Sequence, residues 1–169
     1  MNANTPQPQW LDTQEQQVWR EYLRASRLLE AALDHDLQTH GLQLSEYEIL
    51  SMLSEQPDRR LRMSVIADQV VQSRSRLTHT AGRLENRGWV RREACEGDRR
   101  GVELVLTDTG FAEISRMAPT HVGSVRANLL SHLSREDLLA LGRAMAAISN
   151  GIQSTGVCDE VRATEERPA

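Results

Sequence analysis

Two short β-type segments stand out in a sequence whose remaining pattern is helical. They run from Trp89 to Ala94 and from Val102 to Leu106, and apolar, β-branched residues in such short runs are typical of strands. The seven residues between them are polar and include two glycines and two arginines, which indicates a hairpin tip. A lone hairpin is at best marginally stable in water, so this one must pack against the helices around it.

Four helices are predicted before the hairpin. They begin near Asp12, Leu44, Met63 and Ser73. Ser45 and Glu48 have the spacing of a capping box for the second helix, Ser64 is the expected N-cap of the short third helix, and the fourth helix covers residues 73–87. A helix, a short helix, a further helix and then a hairpin is the order of a winged helix-turn-helix domain.

Two helices are predicted after the hairpin. The fifth follows Thr107 across roughly 109–133, and the sixth follows Ser134. Apolar residues recur in the sixth helix at spacings of three and four, as they do in the first, and such seams favour packing against a partner. We expect both helices to form a dimer interface, with the residues Val18, Leu29, Leu138, Leu141, Met145, Ile148 and Ile152.

The fold class expected from this order is mainly α with a small β wing. A winged helix-turn-helix domain is flanked by long N- and C-terminal dimerisation helices. The predicted bounds are a polar N-terminal tail at 1–11, a dimerisation helix at 12–40, the winged domain at 41–108, C-terminal dimerisation helices at 109–153 and a flexible tail at 154–169.

Composition places the 169-residue chain among globular proteins of about one domain. No run of apolar residues approaches the ~18–20 that a membrane span needs, and the polar start, MNANTPQPQW, has no secretory signal pattern. We therefore expect a cytoplasmic protein associated with the nucleoid, with no membrane partner. Two cysteines 63 positions apart support neither a disulfide framework nor a metal site.

Charge is distributed unevenly along the chain. The net charge is −4, yet residues 58–100 hold 11 of the 20 basic residues and only 6 of the 24 acidic ones. All of the basic residues are arginine, whose planar guanidinium suits phosphate and guanine. A basic middle between acidic flanks indicates a surface that meets a polyanion.

The fourth helix and the hairpin tip supply the candidate DNA-binding residues. A helix N-terminus that carries hydroxyls and arginines suits phosphates and base edges, and an arginine at a wing tip suits a narrow minor groove. The candidates are Ser64, Ser73, Arg74, Ser75, Arg76, Thr78, His79, Arg83, Asp98, Arg99 and Arg100.

Several motifs resemble those of the MarR family of transcriptional regulators. The wing contains Asp98-x-Arg100, then five residues, Leu106-Thr107 and later Gly110, similar to the family's D-x-R-x5-L-T-x-x-G signature. The run RLE-x-x-GWV from Arg83 and the pair Leu77-Thr78 also match, whereas His79 stands where the family usually has proline. The resemblance covers about residues 12–153.

The resemblance implies a bacterial homodimer that binds a pseudo-palindromic operator in double-stranded DNA. It also implies repression that a small molecule releases. Arg100 would then reach the minor groove while Asp98 holds the wing geometry. Relatives of this kind often bind aromatic acids, so Trp19, Tyr22 and Tyr47 are candidate ligand-binding residues.

Other functions remain open at this stage. A winged-helix module that binds protein rather than DNA is one alternative. A redox-responsive regulator is another, because Cys95 is expected at an exposed wing base beside arginines that would lower its pKa. No nucleotide-binding, zinc-protease or nucleophile-elbow motif is present, so we expect no enzyme activity, no cofactor and no metal.

Overall fold

A computed structural model describes residues 9–70, 73–95 and 97–154, and the side chains of Arg99 and Arg100 lie outside the described part. Most of the two predicted tails, 1–11 and 154–169, also lies outside the described part. The helices are α1 (Thr13–Gln38), α2 (Leu44–Ser54), α3 (Met63–Gln69), α4 (Arg74–Asn86), α5 (Asp108–Asn128) and α6 (Arg135–Ser154). The strands are β1 (Arg60–Arg62), β2 (Val90–Cys95) and β3 (Asp98–Leu106). This order confirms the predicted winged-helix fold class.

The wing is a three-stranded antiparallel sheet in the order β1-β3-β2. The two-strand prediction missed β1, which pairs Leu61 with Leu104. Three residues with two arginines show no readable alternation, and β1 becomes a strand only because β3 offers it an edge. Between β2 and β3 the register shifts after Ala94, which faces Val102, so that Cys95 faces Asp98.

One hydrophobic core joins the sheet to the helices. α4 buries Leu77, Ala81 and Leu84, as its periodicity predicts, against residues of α2, α3, β3 and α5. Burying a leucine side chain contributes about 1.5–3 kcal/mol. The fully buried contributors include Leu50, Leu53, Ile66, Leu104 and Met117.

Side chains cap three helix starts, and two of the predicted caps are wrong. Asp12, Ser73 and Thr107 cap α1, α4 and α5 with their side chains. The predicted capping box of Ser45 with Glu48 is wrong, because the N-cap lies two residues earlier, with Gln43 as N-cap and Glu46 in the box. Ser64 is also wrong as an N-cap, since β1 runs directly into α3 and Arg62 takes that position.

The C-terminal helices end differently from the sequence prediction. α5 runs from Asp108 through Pro119 and stops at Asn128, and a single 3₁₀ turn (Leu130–His132) fills the rest of the span predicted up to 133. No residue of α6 is buried within the described chain. None of the described helices is long and apolar enough to cross a membrane.

The apolar stripes of α1 and α6 lie on the surface of the protomer. Val18 is 69 % exposed and Ile148 is 49 % exposed. Ile152 is also exposed, and the other predicted interface residues, Leu29, Leu138, Leu141 and Met145, are half-buried. Exposed apolar patches on this scale are uncommon in monomers and typical of interaction surfaces.

Candidate nucleic-acid interface

The N-terminal half of α4 presents a polar face to solvent. Its apolar residues face the core, so the exposed positions are Arg74, Ser75, Arg76, Thr78 and His79. All five were predicted from the sequence. The same face carries the positive end of the helix dipole, which favours anions.

The hydroxyl groups on this face hydrogen-bond mainly within the helix. Ser73 Oγ accepts from the backbone N–H of Arg76 at 3.2 Å, and Ser73 Oγ lies 3.1 Å from Ser75 Oγ. Thr78 Oγ1 donates to the carbonyl of Arg74 at 2.7 Å. Arg76 and His79, by contrast, make no side-chain hydrogen bond or ion pair with the described residues. These two side chains are therefore free to reach a ligand.

A groove of about 580 Å³ separates α4 from the wing. Four of the predicted DNA-binding residues line it together, since α3, α4 and β3 converge at this place. They are Ser64, Arg74, Thr78 and Asp98.

Asp98 is bonded inside the wing. Its Oδ2 accepts from Arg62 Nη1 at 3.2 Å and its Oδ1 accepts from the backbone N–H of Gly101 at 3.2 Å. Gly97, with φ of 79°, makes the tight turn before it, a conformation that glycine adopts without steric cost. The carboxylate therefore ties β1 to the tip of the hairpin. The predicted DNA contacts of Arg99 and Arg100 fall on side chains outside the described part.

Arg92 connects the wing to α4. Its guanidinium donates to Glu85 Oε2 at 2.9 Å and to the carbonyl of Thr78 at 2.9 Å. Arg92 and Arg62 position the site but were not among the residues predicted from the sequence. The seven-residue separation of Glu85 and Arg92 across a predicted turn was the only available signal.

Most arginines of the basic segment are neutralised locally. Seven of the eleven form ion pairs with acidic residues among the described part of the chain: Arg59, Arg60, Arg62, Arg83, Arg87, Arg91 and Arg92. The guanidinium of Arg91, which bonds Glu93, lowers the pKa of that carboxyl. Much of the positive charge in this segment therefore stabilises the winged domain through ion pairs, in addition to any role in binding a polyanion.

Arg83 lies against α2 although its side chain is about half exposed. Its Nε donates to Glu46 Oε1 at 3.0 Å and its Nη2 donates to Gln43 Oε1 at 2.6 Å. Arg83 was predicted as a DNA-binding candidate from its position on the fourth helix, and that position carries no information about a neighbour 37 residues away.

The three aromatic candidates for ligand binding lie in two different environments. Trp19 and Tyr22 stack on each other, with centroids 5.9 Å apart, on the exposed side of α1. Tyr47 is buried in the core and its ring contacts that of His121 at 4.1 Å. Burial lowers the pKa of His121, whose Nδ1 has no hydrogen-bond partner among the described residues.

A second groove, of about 660 Å³, lies where α1, α2 and α4 meet. None of the three aromatic candidates lines it. Its charged lining residues are Arg27, Glu30, Asp34, Glu48 and Arg76. Arg76 therefore lies both at this groove and on the exposed face of α4.

Cys95 is not exposed, contrary to the sequence expectation. Only 6 % of its surface is accessible, because the register shift beside it folds Gly101 over the thiol. A Cβ built on Gly101 would come within 2.7 Å of Cys95 Sγ. Reactive cysteines are partly exposed in electropositive surroundings, so this burial argues against a thiol-based sensor.

Comparison with known proteins identifies the family. Residues 40–101 match the model of the MarR family. The chain is 38% identical over 115 residues to the HTH-type transcriptional regulator PecS of Dickeya dadantii (strain 3937), an alignment that covers 68% of this chain and 69% of that protein.

Solved structures of two regulators from Streptomyces coelicolor are similar over most of the chain. Sco3205, a MarR family transcriptional regulator in complex with DNA, is 43% identical with a TM-score of 0.83, covering 88% of this chain and 94% of that one. AbsC is 44% identical with a TM-score of 0.82, covering 87% and 99%. These relatives are transcriptional regulators and not enzymes. On this basis the chain belongs to the MarR family of transcriptional regulators.

Proposed function

We propose that this protein is a dimeric, sequence-specific DNA-binding repressor that a small-molecule ligand releases from its operator. The observation that carries the proposal is the exposed face of α4, where Arg76 and His79 make no side-chain bond with the described residues and where Arg74 and Thr78 line the groove beside the wing. A relative of 43% identity was crystallised in complex with DNA.

In this proposal α4 enters the major groove. Arg76 and His79 contact base edges, while Arg74, Ser75 and the helix N-terminus contact phosphates. Ser64 and Thr78 line the wall of the same groove. Arg99 and Arg100 extend from the wing toward the minor groove, and Asp98 holds the hairpin through Arg62.

The dimer is supported by helices that lack partners within one chain. α6 buries no residue, and α1 exposes Val18 and its aromatic neighbours. A second copy packed on these stripes would remove them from water, which is favourable at about 25 cal/mol per Å² of apolar surface. Two-fold symmetry would then place two α4 helices about one DNA turn apart, roughly 34–36 Å, and the operator would be pseudo-palindromic.

The groove between α1, α2 and α4 is the place we propose for the effector. Arg27 and Arg76 offer guanidinium groups to a carboxylate there, beside three acidic residues of the same lining. Repression follows from occupancy, because a bound dimer excludes other proteins from the same DNA. A ligand that engages Arg76 would withdraw a DNA contact.

Titration of binding against salt tests the proposal. The probe is the duplex immediately upstream of the coding region, compared with a scrambled duplex of equal length. Replacing Arg76 by Ala should cost roughly 1–3 kcal/mol on the specific duplex and less on the scrambled one. Arg126→Ala, an exposed position near the end of α5, is the matched control and should change neither.

Two results would contradict parts of this proposal. If the wild-type protein binds neither duplex at low salt, the chain is not a DNA-binding regulator, and the protein-binding alternative takes its place. Equal losses on both duplexes would show that Arg76 contacts only phosphate.

A further inference from the structure

Glu46 is the only buried carboxylate among the described residues, with 1 % of its surface accessible. Its Oε1 accepts from Arg83 Nε at 3.0 Å, and Arg87 Nη1 lies 3.9 Å from its Oε2. That second oxygen also accepts from the backbone N–H of Gln43 at 3.0 Å, which caps α2. One side chain thus joins the start of α2 to the C-terminal half of α4.

Capping alone does not explain a charge at this position. A neutral glutamine at the third position of a helix also completes a capping box. A buried carboxylate needs a cation with good geometry, since its desolvation is costly. The geometry at Glu46 meets this demand, because the Arg83 guanidinium is held twice, by Glu46 and by Gln43 Oε1 at 2.6 Å.

The Glu46–Arg83 ion pair lies about two helical turns from Arg76, which we propose to contact bases. Arg76 precedes Arg83 by seven residues, or about 10 Å along the helix. A rotation of about 10° around the Arg83 contact would therefore move the Arg76 backbone by about 2 Å. Hydrogen bonds to bases tolerate a displacement of only a few tenths of an ångström. The Glu46–Arg83 contact must therefore hold α4 at one angle if its side chains are to recognise bases.

A further hydrogen bond connects α2 to α1. The backbone N–H of Leu44, next to Gln43, donates to Asp34 Oδ1 of α1 at 2.8 Å. α1 carries part of the surface proposed for dimerisation. α4 is thus connected through α2 to the helix that would set the distance between the two recognition helices.

We propose that Glu46 and Arg83 are a pair of positioning residues that set the angle of α4 relative to the dimer frame, and thereby the operator geometry that the dimer accepts. This inference rests on the proposed DNA-binding function. It assigns Arg83, whose side chain is about half exposed, to a contact with α2 instead of a contact with DNA. The carboxylate of Glu46 neutralises the charge on Arg83, so Arg83 contributes little to phosphate binding.

The test uses Glu46→Gln, Arg83→Gln and the double variant in the full chain, with Arg126→Gln as the control. Binding is measured against salt concentration on the specific duplex, on a scrambled duplex and on specific duplexes with one base pair added or removed between the half-sites. Urea unfolding of each variant is recorded in parallel.

We expect each single variant to lower the ratio of specific to non-specific affinity by about tenfold, and the double variant to lower it no further. The preference for the native half-site spacing should weaken in all three. The salt slope should stay that of the wild-type protein, because no phosphate contact is lost. A residue that only stabilised the fold would change the unfolding midpoint without changing the spacing preference.

A different pattern would overturn the inference. If Arg83 contacts phosphate, Arg83→Gln flattens the salt slope by about 2 for the dimer, and Glu46→Gln preserves or increases affinity by freeing Arg83. If a single variant unfolds, the double variant decides, since it contains no buried charge at this place. Wild-type protein that binds no DNA would refute the proposed function and this role with it, whereas normal wild-type binding with unaltered variants refutes this role alone.

Discussion

Gly110 shows how one residue can be dictated by a close approach of two backbones. It lies in the first turn of α5, and its N–H donates to the cap residue Thr107 at 3.0 Å. Thr107 in turn donates to the carbonyl of Gly88 at 2.7 Å. The start of α5 is thereby pressed onto the chain at Trp89, and no space is left for a side chain.

Replacing Gly110 by Ala should therefore destabilise the protein. The new Cβ would overlap the carbonyl oxygen of Trp89 and lie 2.8 Å from Leu106 Cδ1. Overpacking of this kind costs about 1–3 kcal/mol and occasionally more. Urea unfolding measures the cost. Gly123→Ala, in the same helix with nothing within 4 Å of the new Cβ, is the control and should raise stability by up to about 1 kcal/mol. Equal effects would refute the steric explanation.

His121 makes the stability of the fold depend on pH. Burial lowers its pKa from the ordinary 6.5, so the folded state favours the neutral ring. As pH falls below about 6.5, the unfolded chain takes up a proton that the folded chain resists, and stability decreases. The decrease ends once pH is below the folded-state pKa.

His121→Phe should remove this part of the pH dependence while keeping a ring against Tyr47. We expect the difference in unfolding free energy between pH 7.5 and 5.5 to be smaller in the variant than in the wild-type protein, by less than about 1.4 kcal/mol, because this interval extends only one pH unit below the ordinary pKa and the ring is only partly buried. His132→Gln, at an exposed position, should leave the difference as it is. An unchanged pH dependence in His121→Phe would contradict the prediction.

At the scale of elements, the wing is held from two sides. Asp98 and Arg62 tie the hairpin tip to β1, and Arg92 ties β2 to α4 through Glu85. The tip can therefore be altered without loosening the sheet. This separates the proposed DNA contact of the wing from its architecture.

Arg100→Ala should flatten the dependence of log K on log salt by about 2 for a dimer, because one phosphate contact is lost from each wing. Affinity should fall on specific and scrambled duplexes alike. If Arg100 serves DNA binding alone, unfolding should change by less than about 0.5 kcal/mol. Arg126→Ala serves again as the control. An unchanged slope with unchanged affinity would remove the wing tip from the DNA interface, and a large loss of stability would assign Arg100 a structural role.

At the scale of the whole molecule, the terminal helices carry the surface that we propose for dimerisation. A single chain leaves the apolar residues of α6 in contact with water, and α1 adds Val18 and the Trp19–Tyr22 pair. These surfaces lie away from the core that joins the winged domain to the end of α1. Association of two chains is the simplest arrangement that covers both.

Replacing Met145 and Ile148 by Asp should convert the dimer to a monomer, since an interface does not tolerate unpaired buried charges. Sedimentation velocity measures the change, and loss of specific DNA binding should accompany it. Asn150→Asp, on the same helix with an exposed side chain, introduces a charge outside the stripe and should remain dimeric. A double variant that stays dimeric would show that this seam is not the interface.

The elements that could be predicted from the amino-acid sequence are those whose signals are local. Periodicity defined α4 and its buried face of Leu77, Ala81 and Leu84, and the caps at Ser73 and Thr107 follow from hydroxyls placed directly before helical runs. The hairpin could be read from β-type segments around a polar, glycine-bounded turn. Hydrogen bonds and side-chain contacts between residues close in the sequence produce such features, so the neighbouring residues suffice to predict them.

The pairing of charged and polar groups depends on the folding of distant segments against one another. Arg83 faces Glu46, 37 residues away, and Arg62 faces Asp98, 36 residues away. The strand β1 exists because β3 pairs with it, and Cys95 is buried because a register shift brings Gly101 across it. Each of these contacts depends on how distant segments pack, and packing is a property of the assembled core that no local window of the sequence contains.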